Sequence, residues 1–184
     1  MAITAIDMGE IADVALPVEE LAVQMRLADG VLDDPVQSAR LLARLRAAVD
    51  EVERRTGLLL FARQMTLAGS TPGARRVRLP VRPVAEVVDA FVLRAGSRVS
   101  VGPVTMEEGP AEALVVLAQP VRDTEHLRLD VVAGYESWGA VPASLRQAVL
   151  LIAEALDAGD GEILSPMAAS LLAPFRRLRI GGGA

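Results

Sequence analysis

Residues 127–158 read LRLDVVAGYESWGAVPASLRQAVLLIAEALDA, and most of the fold prediction rests on them. The segment 127–132 favours a strand, and the turn Ala133-Gly134-Tyr135 ends it. Pro142 then begins a helix that is apolar on nearly every side. A helix with so little polar surface has to be packed on several sides, either by its own fold or by copies of the same chain. The sequence therefore predicts a subunit of an assembly.

The apolar helix carries one continuous stripe and further apolar residues beside it. The stripe consists of Leu145, Val149, Ile152 and Leu156. The residues that widen it are Ala148, Leu151 and Ala155. An apolar surface of this width implies two partner surfaces.

Four helices are predicted, at about residues 17–28, 34–56, 142–157 and 165–173. The second has the clearest boundaries. Asp34 is an N-cap residue followed by a proline, and Thr56-Gly57 is a C-terminal stop. The pair Asp33-Asp34 therefore reads as a helix cap.

Between residues 58 and 133 the apolar period shortens, and glycine or proline separates the apolar runs. Short strands are expected at 61–67, 77–79, 84–93, 98–101, 114–118 and 127–132. Glu107-Glu108 reads as a turn. The predicted fold class is α+β: mainly a helical bundle, with a β-rich insert at about 58–133.

The length of 184 residues suits one domain with a substantial core. We expect residues 1–184 to form a single domain with an N-terminal extension at 1–15 and a C-terminal docking tail at 174–184. No apolar run approaches the roughly 18 residues of a membrane helix. Cysteine is absent, and residues 1–17 hold three acids and no cation, the reverse of a secretory leader. These features predict a cytoplasmic protein without membrane contact.

Charge is distributed unevenly along the chain. All 19 basic residues are arginine, the net charge is −5, and residues 1–60 hold 11 acids against 6 arginines. Aromatic residues make up 3% of the chain. A nucleic-acid binder usually has a basic stripe or aromatic stacking platforms, so tight nucleic-acid binding is not expected.

The clearest candidate for catalysis is the segment 123–126. His126 lies beside Asp123 and Glu125. No Gly-x-Ser-x-Gly nucleophile motif accompanies them, so a surface loop before a strand is the favoured interpretation, and no catalytic residue is assigned. A small α+β ligand-binding domain or hydrolase that uses this cluster is kept as an alternative.

Cofactor and metal sites are not predicted either. Asp157, Asp160 and Glu162 could offer oxygen ligands to a cation, but their spacing is not that of an EF-hand loop, and a glycine-loosened helix connection is favoured. No glycine-rich phosphate loop lies between a strand and a helix.

Five segments in a fixed order carry a resemblance to a known family. They are LPVEEL at 16–21 with MRL at 25–27, VERRTG at 52–57, LPVRPV at 79–84, VAGY at 132–135 followed by VPASLRQA at 141–148, and LLAPFR at 171–176. Their order and spacing resemble those of the head-tail connector proteins, also called adaptor or head-completion proteins, of long-tailed bacteriophages. Members of this family also occur in prophages and gene transfer agents.

The resemblance implies a structural protein without enzymatic activity. It implies a ring of twelve copies beneath the portal that joins the DNA-filled capsid to the tail and lets DNA pass. The expected partners are other copies of the chain, the portal protein, a stopper or tail-completion protein, and translocating DNA in transient contact. The chain would be cytoplasmic during assembly and would then lie in the particle neck. A role as the stopper or tail-completion protein is the alternative within the family.

The same resemblance implies two sets of contact residues. The portal-docking residues are Leu171, Leu172, Phe175, Arg176, Arg177 and Arg179. Apolar anchors with guanidinium groups beside them are enriched at interface hot spots. A ring contact uses two different faces of each subunit, so the expected ring interface is the stripe Leu145, Val149, Ile152 and Leu156. If the acidic N-terminal third lines the channel, it would repel phosphates; a pore lined by Arg40 and Arg44 would contradict that hypothesis.

Overall fold

The computed structural model describes residues 3–94, 96–109, 113–159 and 163–176. They form two compact units. The β unit comprises the described residues of 1–11 and 61–136, and the helical unit comprises those from 12 to 60 and from 137 onward. Each unit is therefore built from two separate stretches of the chain, which alternate along the sequence.

Eight strands, all in antiparallel pairs, build two sheets in the β unit. They are β1 (Thr4–Met8), β2 (Arg63–Gly69), β3 (Arg76–Arg78), β4 (Val84–Arg94), β5 (Ser97–Ser100), β6 (Val104–Glu108), β7 (Ala113–Leu117) and β8 (His126–Ala133). The five-stranded sheet has the order β1-β2-β8-β4-β5, and the three-stranded sheet has the order β3-β7-β6. The arrangement is sandwich-like.

Strand β8 is central to the five-stranded sheet, because it pairs with β2 on one side and β4 on the other. Its residues alternate between the core and the opposite face. Leu127, Leu129 and Val131 are buried, and the residues between them are half-buried. This period of two is what a strand with one buried face requires.

The prediction of a mainly helical bundle with a β-rich insert at 58–133 is wrong. The strands form two sheets with a core of their own, and the first strand comes from the N-terminal segment that was predicted to be an extension. β1 pairs with β2 although about sixty residues separate them in the chain. Glu107 and Glu108 end strand β6 and are not a turn. Strand β1 is stabilised by pairing with a distant segment, which local sequence patterns do not report.

The helical unit contains α1 (Val18–Gln24), α2 (Pro35–Thr56), α3 (Ala143–Ala158) and α4 (Pro166–Leu172). Each lies where the sequence predicted a helix, with α1 several residues shorter than expected. Asp34 caps α2: its Oδ1 accepts a hydrogen bond from the Val36 backbone N–H at 2.8 Å. Gly57 ends α2 in the left-handed conformation. Within the described residues, no helix combines the length and the apolar character that a membrane crossing needs.

The turn after β8 requires glycine at position 134. Gly134 has a φ of +117°, and a Cβ atom there would lie 2.1 Å from the carbonyl oxygen of Phe61. Its backbone N–H donates to the carbonyl oxygen of Pro83 at 2.8 Å, and the Ala62 N–H donates to the carbonyl oxygen of Tyr135 at 2.8 Å. This turn therefore joins the end of β8 to the segments that precede β2 and β4.

We expect Gly134→Ala to lower the free energy of unfolding by about 4 kcal/mol or more, because the new methyl group meets rigid main chain. For a chain of this length that corresponds to a drop in Tm of about 8 °C or more in a thermal scan. Gly73→Ala is the matched control: Gly73 also has a positive φ, +72°, but a Cβ atom there meets nothing within 4 Å. It should cost only about 1–2 kcal/mol. Equal losses in the two variants would contradict the packing described for Gly134.

Candidate interaction surfaces

The apolar stripe of α3 lies inside the helical unit. Leu145, Val149 and Ile152 have no exposed surface, and Leu156 is half-buried. Helices α1, α2 and α4 all pack against α3 within the helical unit. The apolar surface of α3 therefore has packing partners inside the subunit. The structure places the first three stripe residues where a neighbouring subunit cannot reach them.

The last described segment presents a mixed apolar and basic surface. Leu172 is buried and anchors α4, whereas Leu171 and Phe175 are half-buried and Arg176 is exposed. Met167, one turn before Leu171, is 63% exposed. We call Met167, Leu171, Phe175 and Arg176 the terminal surface. Arg177 and Arg179, which the sequence also assigned to docking, lie outside the described residues.

Two arginines of α2 meet one carboxylate at the end of α3. The Nε atoms of Arg40 and Arg44 lie 3.5 and 3.6 Å from Oδ1 of Asp157. The Asp157 side chain is only 10% exposed, and its charge is balanced by two guanidinium groups. It is therefore not available as a cation ligand. Asp160 and Glu162 lie outside the described residues, and among those that are described no three His, Cys, Asp or Glu side chains are placed to hold a metal ion.

Within the acidic cluster at 123–126, Glu125 is held by hydrogen bonds. Glu125 is buried, and its Oε1 accepts from Nη2 and Nε of Arg94 at 2.6 and 3.0 Å. Its Oε2 accepts from the Arg122 backbone N–H at 3.1 Å. The Arg94 hydrogen bonds, followed by that of Arg122, lower the pKa of the Glu125 carboxyl below its usual range. His126 begins β8 and is exposed.

A cleft of about 300 Å³ lies beside this cluster in the β unit. Its lining includes Arg94, Val99, Pro103, Arg122 and Glu125. A general acid or base needs a pKa near the operating pH and a free position toward its substrate. Glu125 has neither, because its pKa is lowered and both oxygens already accept hydrogen bonds. The geometry thus gives no support to Glu125 as the general acid or base of a hydrolase.

Several exposed apolar side chains were not singled out by the sequence. Ile6 and Met8 on β1 are 51% and 52% exposed, and Val88 on β4 is 53% exposed. Met167 on α4 belongs to the same class. The spacing of apolar residues, two in a strand and 3.6 in a helix, groups side chains on one face of the element. It does not tell whether the fold leaves that face exposed to solvent, so no sequence signal marks these residues. The LLAPFR segment was the one signal that identified part of the terminal surface.

Chains from gene transfer agent (GTA) particles are similar to this protein over its whole length. One comes from the neck of an empty GTA particle computed with C6 symmetry; it is 28% identical, with a TM-score of 0.84. Another comes from the virion of a native GTA particle, at 28% identity and a TM-score of 0.81. A third comes from the neck of a native GTA particle computed with C12 symmetry, at 26% identity and a TM-score of 0.75.

Each of these alignments covers 100% of this chain and 99% of the other. No protein-family model and no curated protein matches the sequence. The fold is thus similar, over all of this sequence, to that of chains found in GTA particles and their necks, in agreement with the kind of family that the sequence resembles.

Burial of the α3 stripe predicts a stability effect that belongs to the single subunit. Ile152→Ala should lower the free energy of unfolding by about 2–5 kcal/mol, because it leaves a cavity in the core. The loss should be the same at low and high protein concentration. Val23→Ala is the control, because Val23 is 78% exposed; it should change stability by less than about 0.5 kcal/mol. A loss that grows with protein concentration would instead place Ile152 between subunits.

The hydrogen bonds of Glu125 predict a pH effect on the stability of the chain. Its pKa is lower in the folded than in the unfolded protein, so the stabilisation is fully present above the ordinary glutamate pKa of 4.5. It is lost as the pH falls through the folded-state value. Glu125→Gln should therefore have a lower Tm than the wild type at neutral pH, and the difference should vanish in acid.

The control for that experiment is Asp123→Asn, which removes an exposed carboxylate two residues away. Its Tm should follow that of the wild type across the same pH series. A Glu125→Gln variant whose Tm difference is constant with pH would contradict the role assigned to the carboxylate charge.

Proposed function

We propose that this chain is a structural subunit of the neck of a gene transfer agent or phage-like particle, where it joins the capsid to the tail. The observation that carries the proposal is the whole-length similarity to GTA neck chains, at 28% identity and a TM-score of 0.84. A match that covers both chains end to end leaves no further domain of that neighbour unaccounted for. The commitment of Glu125 to Arg94 and Arg122 favours this role over a catalytic one.

Within the neck, we propose the adaptor position, in a ring of twelve copies beneath the portal. The similar neck chains were solved in reconstructions with C6 and C12 symmetry, both of which a twelve-copy ring satisfies. The ring contacts must use exposed side chains, because Leu145, Val149 and Ile152 are inside the helical unit. A closed ring needs two different contact patches on each copy.

The terminal surface is the proposed contact with the portal protein. Met167, Leu171 and Phe175 follow one another at four-residue spacing, so they extend along one side of the segment. Arg176 comes directly after them and is exposed. A half-buried aromatic ring with an adjacent guanidinium group is a residue combination that often dominates binding energy.

Passage of DNA requires a surface that does not hold phosphates. Five of the six arginines of residues 1–60 take part in ion pairs within the helical unit. Arg40 and Arg44 contact Asp157, Arg46 contacts Asp13, and Arg54 and Arg55 contact Glu51. Each pair reduces the local positive potential that a phosphate would meet. This neutralisation supports a contact with DNA that is transient.

A deletion strain tests the proposed function. Without the chain, we expect filled heads that lack tails in negative-stain images, because the capsid is complete but has no neck to receive a tail. Expression of the wild-type chain from a second copy should restore tailed particles. Normal tailed particles in the deletion strain would refute the proposal. Heads that have lost their DNA would instead indicate the stopper position.

Truncation of residues 176–184 tests the portal contact. The cut falls after Phe175, so the buried Leu172 and the described helical turn at 173–175 are kept. We expect the Tm to stay within about 2 °C of the wild type, because the cut keeps the buried Ala168 and Leu172 of α4. The fraction of capsids that carry the chain should fall at least about tenfold, the effect of losing about 1.4 kcal/mol of binding.

The point variant Arg176→Glu should reduce capsid attachment in the same direction as the truncation. The matched control is Arg122→Glu, which reverses the charge of an exposed arginine that belongs to the β unit. Attachment of the truncated chain at the wild-type level would refute the portal contact and leave the neck assignment intact.

A further inference from the structure

Strand β1 differs from the other edge strands of the β unit. The two sheets end at β1 and β5 and at β3 and β6. An open strand edge attracts other strands, and proteins commonly protect it with charged side chains or cover it. The protection of each edge can therefore be compared.

Three of the four edges carry charged side chains in ion pairs. On β5, Arg98 lies 3.8 Å from the centre of the Phe91 ring and is paired with Asp89. Arg76 on β3 and Glu107 on β6 form an exposed ion pair, with 2.6 Å between Nη2 of the arginine and Oε2 of the glutamate. These groups discourage another strand from pairing at those edges.

The edge of β1 is apolar by comparison. Asp7 is its single charged residue, and Ile6 and Met8 are each about half exposed. All five residues of the strand are exposed. A register shift between Ala5 and Asp7 leaves Ile6 without a partner on β2. A bulge of this kind directs the extra side chain away from the sheet.

We propose that the outer edge of β1, with Ile6 and Met8, is a contact between neighbouring copies of this chain in the assembled ring. The inference rests on the proposed function and names one of the two patches that a closed ring requires. The occupant is a second copy because the similar neck chains occur in C6- and C12-symmetric reconstructions. Copies repeated about an axis lie side by side, and β1 is the sheet edge of the β unit that exposes two large apolar side chains, Ile6 and Met8.

The strand forms part of the contact and not all of it. A stable interface buries about 800 Å² on each partner, more than one short strand can supply. Its contribution comes from the two apolar side chains and from main-chain groups that face outward. In an isolated subunit these side chains and main-chain groups are exposed to water. A neighbouring copy in the ring would cover them.

Photocrosslinking inside assembled particles tests this proposal. The photoreactive residue p-benzoylphenylalanine is introduced at Ile6 in one strain and at Val88 in another. Val88 is the matched control, because it is an exposed β-branched residue at 53%, in the same sheet, on the interior strand β4. Irradiation should give an adduct with the mass of two 19.4-kDa chains at position 6 and not at position 88.

Ile6→Lys gives a second measurement, with Val88→Lys as its control. Both changes are at exposed positions, so both chains should fold with a Tm close to the wild type. We expect Ile6→Lys to lower the number of copies per particle at least tenfold and Val88→Lys to leave it unchanged. Equal incorporation of the two variants would overturn the proposal.

The outcomes separate this inference from the proposed function. The chain is first located in the neck of the irradiated particles with an antibody. If it is present and position 6 gives no adduct, or an adduct with a different protein, the β1 contact is overturned and the neck assignment is not. If the chain is absent from particles altogether, both are overturned.

Discussion

Helix α3 has apolar side chains on more sides than one neighbour can cover, and the helical unit is arranged around that constraint. Helix α2 is long enough to run beside it, and α1 and α4 pack against it as well. Leu145, Val149 and Ile152 become fully buried as a result. Burial of three large aliphatic side chains contributes about 1.5–3 kcal/mol each, which makes this packing a leading source of stability in the unit.

The same packing determines which residues remain for partners. Because Leu172 belongs to the core, α4 is held in place, and the residues on its outer side are presented at a fixed position. Met167, Leu171 and Phe175 remain partly exposed beside Arg176. An interface built on a firmly packed helix loses less conformational entropy on binding than one on a free chain end. The terminal surface thus follows from the burial of α3.

The β unit is organised around β8 in a comparable way. This strand pairs with β2 and β4, and the turn that follows it approaches Phe61 so closely that position 134 has to be glycine. Polar groups near the sheet are bound to each other, as Thr66 is to Asp130 and Arg94 is to Glu125. Side chains that are hydrogen-bonded to each other in this way stabilise the fold. The unit has the character of a structural module, which agrees with the neck role proposed for the chain.

Local sequence patterns determined the helices of this protein. The cap at Asp34, the stop at Gly57 and the proline at 166 are short-range signals, because capping hydrogen bonds form within one turn. Most strands were also located, from their alternation and from the glycines and prolines between them. The order of five short segments was enough to identify the kind of particle component that the chain resembles.

Tertiary structure alone decided how these elements combine. The pairing of β1 with β2, and the two sheets that replace the expected bundle, depend on contacts between residues far apart in the chain. The same holds for α3: a stripe of Leu145, Val149 and Ile152 looks the same in the sequence whether it is covered by α2 or by another subunit. The hydrophobic effect is non-directional. A sequence pattern therefore indicates that a side chain will be buried, but only the tertiary structure shows which neighbour buries it.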